Sequence, residues 1–104
     1  MYIVLYSFKV IPKHVDTFIK GWKGLTNLIY KYEGSLGSRL HKKNHLEYIA
    51  YAQWPNKNIF EASGGNLPKE ANKYRDLMRT SCDKIEIIHK LDVVEDLLAK
   101  NLKD

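Results

Sequence analysis

The sequence predicts a ferredoxin-like α+β fold with the element order strand, helix, strand, strand, helix, strand. Three observations support this order. Apolar residues alternate in four segments, which is typical of half-buried strands. They recur every three or four residues in two longer segments, which is typical of amphipathic helices. The chain has 104 residues, so we expect residues 1–104 to form a single domain with an antiparallel sheet covered by helices.

The first predicted strand covers residues 2–10. Tyr2, Val4, Tyr6, Phe8 and Val10 share one face, and Ile3, Leu5, Ser7 and Lys9 share the other. Both faces are largely apolar, although one face of an antiparallel sheet usually meets water. We therefore expect a second copy of the chain to cover the second face, which makes the protein a homodimer.

A long amphipathic helix is predicted over residues 12–32. Pro12 suits a first helical turn because its missing N–H costs nothing there. Gly34 is a plausible C-terminal stop. The apolar stripe of this helix consists of Val15, Phe18, Ile19, Trp22, Leu25, Ile29 and Tyr32.

Residues 35–42 and 46–54 are predicted to form a hairpin. Leu36, Ser38 and Leu40 share one face of its first strand, and Arg39 and His41 lie on the other face. In the second strand Tyr48, Ala50, Ala52 and Trp54 share a face. A three-residue loop pairs Leu40 with Tyr48, whereas a two- or four-residue loop pairs Arg39 with Tyr48. We favour the first register because it joins apolar residues.

The second half of the chain supplies a second helix and the last strand. Asn56 can cap a short helix over 57–62, and the segment SGGN at 63–66 ends it. Pro68 then opens a helix that extends to about Cys82, with Ala71, Tyr74, Leu77 and Met78 on its inner face. Residues 84–95 are predicted to be a strand in which Ile85, Ile87, His89, Leu91 and Val93 share a face. Residues 96–104 are either a tail or a short helix.

Composition excludes several classes of function. No stretch approaches the ~20 apolar residues of a membrane span, and the N-terminus lacks the features of a signal peptide, so we expect a cytoplasmic protein with no membrane partner. Cys82 is the only cysteine; it excludes an intrachain disulfide, and we expect a structural role on a helix.

The net charge of +5 comes mostly from scattered lysines. Because these lysines form no basic run with interleaved aromatic residues, nucleic-acid binding is not expected.

Three segments of the chain resemble the antibiotic biosynthesis monooxygenase family. They are YIVLYSFKVIPKHVDTFIKGW, GSLGSRLHKKNHLEYIAYAQWPN and IEIIHKLDVVEDLL. The resemblance implies a ferredoxin-like unit that dimerises into an α+β barrel. The family includes cofactor-free oxygenases of polycyclic phenols and quinols, and also haem-degrading enzymes. In the haem-degrading branch the site resembles an Asn–Trp–His set. Trp54 matches the tryptophan, but Tyr6 or Ser7 stands at the asparagine position. No histidine follows Trp54 before His89. Haem degradation is therefore disfavoured.

Within this resemblance, Trp54 is the candidate catalytic residue, since its indole N–H can donate to an anion that develops on a substrate. On its strand face it is equally well explained as a core residue. Tyr6, Trp22, Tyr48 and Tyr74 are the candidate substrate-binding residues. Ala50 and Ala52 are small enough to leave a void between the sheet and the helices.

Two functions remain open. One is a cofactor-independent monooxygenase of a small aromatic, phenolic or quinol-like substrate, with no metal and no cofactor. The alternative is a non-catalytic dimeric small-molecule-binding domain on the same fold. A pocket beside Trp54 favours the first, and a pocket filled by its own side chains favours the second.

Overall fold

The computed structural model describes residues 1–99, which form a four-stranded antiparallel sheet with three helices. The elements are β1 (Tyr2–Val10), α1 (Val15–Glu33), β2 (Gly37–Lys42), β3 (Glu47–Trp54), α2 (Lys57–Glu61), α3 (Ala71–Ser81) and β4 (Cys82–Asp92). The strand order is β2-β3-β1-β4. The predicted ferredoxin-like α+β fold is confirmed. No helix in the described part of the chain is long and apolar enough to cross a membrane.

The central strand β1 divides its side chains between two faces of the sheet. Tyr2 pairs with Trp54 and Phe8 pairs with Tyr48, so the even-numbered residues of β1 and β3 lie on one face. Phe18 of α1 and Met78 of α3 pack in the same core cluster as Phe8. We call this side the covered face. The opposite side, which carries Ile3, Leu5, Ile49 and Tyr51, is the open face.

Helix α1 begins three residues later than predicted. Ile11 accepts a hydrogen bond from the backbone N–H of His14 (3.0 Å), and Lys13 has a φ of 74°. These features make a turn, so Pro12 precedes the helix instead of opening it. The predicted stop is confirmed, because Gly34 follows α1 with a φ of 80°, a left-handed conformation that glycine adopts without steric cost.

The hairpin register differs from the predicted one by two residues. Leu40 pairs with Ala50, and Ser38 pairs with Ala52, so the predicted faces are right and the pairing is wrong. The reason lies in the connecting loop, where Asn44 Oδ1 accepts hydrogen bonds from the backbone N–H groups of Leu46 (3.3 Å) and Glu47 (3.1 Å). This side-chain turn lengthens the loop without changing which side chains point to the helices.

The second half of the chain departs from prediction mainly at helix and strand ends. Asn56 caps α2 as predicted, since its side chain accepts the backbone N–H of Ile59 at 2.9 Å. The residues after Pro68 make a turn in which Ala71 donates to the Pro68 carbonyl at 3.0 Å, so α3 starts at Ala71. Cys82 was expected on the helix, but it is the first residue of β4.

Strand β4 contains a bulge that breaks its predicted alternation. Leu5 pairs with His89 while the next residue, Tyr6, pairs with Ile87, so Ile88 is an extra residue on β4. Ile85 and Ile87 therefore lie on the covered face, whereas His89 and Leu91 lie on the open face. The prediction of a single shared face was wrong for this reason, and Val93 lies beyond the strand. Residues 96–99 are irregular, and the predicted tail or helix at 100–104 lies outside the described residues.

Candidate functional site

A cavity of about 370 Å³ lies between the covered face and the helices. Its apolar lining comes from both layers and consists of Phe8, Leu25, Ile29, Ala50, Ala52, Met78 and Ile85. The remaining lining residues carry polar atoms and are Tyr6, Trp22, Thr26, Ser38, Trp54, Arg75 and Arg79. A mostly apolar lining with a few polar groups is typical of small-molecule sites.

The space arises because the core is split into two clusters. One cluster surrounds Phe8, Phe18 and Met78, and the other surrounds Val4 and Trp54. Tyr6 packs against both clusters. Opposite Tyr6 and Val4, β3 presents only the methyl groups of Ala50 and Ala52, so the sheet does not fill the space beneath the helices.

Three of the five candidate site residues meet in this cavity, namely Tyr6, Trp22 and Trp54. Tyr48 and Tyr74 are not among the lining residues. Tyr48 is buried with its ring centroid 5.3 Å from that of Phe18. The ring of Tyr74 packs directly on Gly24, where a Cβ atom would overlap it.

Trp54 is 3% exposed and is held by other aromatic residues. Its ring centroid lies 5.4 Å from that of Phe60 in an edge-on arrangement, and the Phe60 ring lies 5.8 Å from that of Tyr2. The indole N–H of Trp54 is buried and has no hydrogen-bond partner within residues 1–99. An unsatisfied buried donor typically costs about 1–3 kcal/mol, so a hydrogen bond to an acceptor would stabilise this N–H.

The loop after α2 is fixed by a buried carboxylate. Glu33, at the end of α1, accepts hydrogen bonds from the backbone N–H groups of Gly64 and Asn66, each at 2.8 Å. This clamp joins α1 to the segment that follows Phe60. Glu33 thereby fixes the segment that follows α2, a role that the sequence did not predict.

The cavity offers hydrogen-bond donors but no ordinary base. Burial raises the pKa of Tyr6 above its usual value, so its phenol stays protonated at neutral pH and can donate. The lining residues of the described chain include no histidine, aspartate or glutamate. Within residues 1–99 no group of three His, Cys, Asp or Glu side chains is placed to hold a metal ion.

The cavity opens to solvent beside β4. Ile85 and Ile87 lie on the covered face, yet each is 44% exposed, so α3 does not shield this part of the sheet. Arg75 and Arg79 of α3 lie at this opening, which we call the mouth. The sequence reasoning missed both arginines; the available signal was their spacing of one helical turn around Met78.

Solved structures place this architecture among known folds. A candidate antibiotic biosynthesis monooxygenase from Caulobacter crescentus superimposes with a TM-score of 0.73 and 20% identity, covering 90% of each chain. SnoaB from Streptomyces nogalater, described as a cofactor-independent oxygenase, has a TM-score of 0.71 and 14% identity, covering 92% of this chain and 95% of SnoaB. The chain has the fold of the antibiotic biosynthesis monooxygenases. The resemblance seen in the sequence is thus supported by structure.

A third neighbour is a candidate antibiotic biosynthesis monooxygenase from Deinococcus radiodurans, with a TM-score of 0.73 and 10% identity over 97% of this chain and all of its own. No protein-family model and no curated protein sequence matches the chain. At identities this low the neighbours establish the fold alone, because one fold hosts many different chemistries.

Proposed function

We propose that the protein is a cofactor-independent monooxygenase of a small aromatic, phenolic or quinol-like substrate. The observation that carries this proposal is the largely apolar cavity bordered by Tyr6, Trp22 and Trp54. Its volume of about 370 Å³ lies within the usual range for small-molecule sites. The fold shared with SnoaB, described as a cofactor-independent oxygenase, supports the same reaction class.

In this reaction the substrate supplies every electron. A hydroxylated anthrone first loses a proton from its ring methylene, and the resulting anion transfers one electron to O₂. The substrate radical and superoxide then combine to form a C–O bond. Cleavage of the O–O bond of the protonated peroxide, with loss of the second methylene hydrogen as a proton, leaves a ring carbonyl. One oxygen atom ends in the quinone and the other ends in water.

The residues of the cavity match the needs of this reaction. Apolar walls exclude water from the reacting carbon, and donors stabilise the anion. The neutral phenol of Tyr6 can donate to a substrate oxygen. No carboxylate or imidazole lines the cavity within the described chain, so the substrate proton passes to solvent at the mouth.

We assign Trp54 the role of a second donor. Its indole N–H has no partner within residues 1–99 and is closed off from solvent. A substrate oxygen therefore reaches it only after the ring turns towards the cavity. Satisfying a buried donor offsets the cost of leaving it unpaired, about 1–3 kcal/mol, which favours such a turn when the substrate binds.

The test is oxygen consumption in metal-free buffer with a panel of hydroxylated anthrones and quinols. Trp54→Phe keeps an aromatic ring and removes the N–H, and we expect it to lower the rate about 10²–10³-fold, as for other lost oxyanion donors. Trp22→Phe is the comparison, because it trims a half-buried cavity wall and should cost less. Uptake that Trp54→Phe leaves unchanged would keep the enzyme and remove this role for Trp54.

A non-catalytic ligand-binding domain is the second candidate. It is favoured by the absence of an acidic or imidazole side chain from the lining in the described chain, because most proton abstractions use such a base. Ligand binding without oxygen uptake across the whole panel would support this candidate and contradict the oxygenase.

We also propose that the protein is a homodimer of single-domain subunits packed through their open faces. Leu5, Ile49 and Tyr51 lie half-buried at the centre of that face, and Leu91 is exposed beside them. Lys9, Arg39 and His41 are exposed nearer its edge. An apolar centre with a polar rim is the usual composition of a protein–protein interface.

A further inference from the structure

We infer that the cavity selects ligands that carry a carboxylate, which Arg75 binds at the mouth with Arg79 beside it. This inference names the substrate class of the proposed site and rests on the proposal that the cavity binds the substrate. The first support is the position of the two arginines. They are the only charged residues that line the cavity in the described chain, and their spacing of one helical turn places them on the same side of α3.

The second support is that Arg75 is largely uncommitted. Within residues 1–99 no carboxylate lies within 4 Å of its guanidinium. In the described part of the chain its one side-chain hydrogen bond goes from Nη1 to Asn72 Oδ1 at 3.4 Å, which is long. Arg79, in contrast, is already paired with Asp76. Arg75 therefore keeps most of its donors for a ligand, whereas the charge of Arg79 is largely balanced by Asp76.

The third support is a further cation on the covered face of the sheet. Lys90 of β4 lies on the covered face opposite Val4, with its Nζ 5.7 Å from the centre of the Phe60 ring. Asp92 is the nearest acidic residue along that face of β4, at the strand end opposite Tyr2. Lys90 lies outside the cavity lining, and Arg75 is a half-buried residue of that lining, where charge-assisted hydrogen bonds are stronger than in water.

A carboxylate fits this arrangement better than other polar substituents. The guanidinium is a planar fork that binds the two oxygens of a carboxylate in parallel. The rest of the ligand would enter a lining that is mostly hydrocarbon and aromatic. Together these features specify a flat aromatic acid, with the ring system beneath the helices and the acid group at the mouth beside α3.

The experiment compares anthraquinone-2-carboxylate with anthraquinone-2-carboxamide, which has the same rings and no charge. Both are already oxidised, so binding is measured without turnover, by quenching of tryptophan fluorescence. We expect the wild-type protein to bind the carboxylate about tenfold more tightly, a typical gain from one partly exposed charge-assisted pair. Arg75→Gln should make the two affinities equal.

Lys23→Gln is the matched control, because it removes one positive charge from an exposed position of α1 that does not line the cavity; the preference for the carboxylate should persist. Equal affinities in the wild type, a preference that survives in Arg75→Gln/Arg79→Gln, or no binding of either probe would each overturn the inference. Oxygen uptake with uncharged anthrones alongside equal affinities would overturn the carboxylate preference and leave the proposed oxygenase intact. Carboxylate-selective binding without any oxygen uptake would support the carboxylate preference and contradict the proposed oxygenase.

Discussion

The covered face and the open face of the sheet are built from the same strands, yet their side chains pack in different ways. On the covered face large residues such as Phe8 and Trp54 are buried against the helices, while Ala50 and Ala52 leave space between them. On the open face large residues lie side by side on adjacent strands, as Leu5 and Tyr51 do. No helix covers them in the part of the chain that the structure describes.

This difference indicates two kinds of partner. A concave space with apolar walls and a few donors suits a small molecule. A broad surface with an apolar centre suits another protein surface. Substitutions that alter one face at a time should therefore separate ligand binding from assembly.

The largest effect is expected for Leu5→Asp. Leu5 lies on the central strand of the open face, so in a symmetric dimer each subunit would bury one unpaired carboxylate. A buried charge without a partner typically costs about 3–5 kcal/mol, and we expect dissociation to be favoured at least about a hundredfold. Sedimentation at micromolar concentration would show the 12.1 kDa subunit in the variant and twice that mass in the wild type.

The control for this substitution is Tyr30→Asp. Tyr30 is an exposed aromatic residue on the outer surface of α1, so the same new charge should leave the sedimenting mass unchanged. A wild-type protein that sediments as a stable monomer would contradict the proposed dimer, whatever the variants do.

A smaller effect is expected for Ala52→Leu on the covered face. The added side chain would enter the cavity, so we expect the affinity for anthraquinone-2-carboxylate to fall at least about tenfold while the melting temperature changes little. The same exchange at Ala71, which is fully buried and does not line the cavity, should instead destabilise the fold by about 1–3 kcal/mol. Equal destabilisation by both would mean that the cavity closes in solution.

The smallest effect concerns Tyr6 at alkaline pH. Burial raises its pKa in the folded state, so the unfolded chain ionises this phenol first, near its ordinary pKa of about 10. The free energy of unfolding should therefore decrease as pH rises above that value. Tyr6→Phe should remove part of this decrease in urea titrations at increasing pH. An identical pH dependence in both proteins would mean that Tyr6 ionises freely in the fold.

Alternation along the strands predicted the two faces well, because side-chain direction has a period of two residues whatever the partner strand does. The pairing within the hairpin could not be predicted in the same way. It depends on how many residues the turn uses, and Asn44 extends that turn by accepting two backbone N–H groups. A two-residue error in register preserved the faces, which is why Ala50 and Ala52 were still placed correctly beneath the helices.

The candidate site was predicted in part. Tyr6, Trp22 and Trp54 follow from strand alternation and the apolar stripe of the helix, so their meeting in one cavity depends only on the fold. The sequence did not predict Arg75 and Arg79 as site residues, because a charged helix face is usually solvated. Their position depends on how far α3 shields β4, which is a tertiary property that no local pattern reports. Only three of the seventeen basic residues are arginines, and this rarity was the other feature of the sequence that could have drawn attention to Arg75 and Arg79.

The bulge at Ile88 has a consequence for any comparison of this strand with relatives that lack it. On either side of Ile88, the odd-numbered residues point in opposite directions, with Ile85 and Ile87 towards the mouth and His89 and Leu91 away from it. An alignment without a gap at Ile88 would assign Lys90 and Asp92 to the wrong face. Deleting Ile88 would instead remove the bulge and restore simple alternation, with His89 and Leu91 still on the open face and Lys90 still on the covered face.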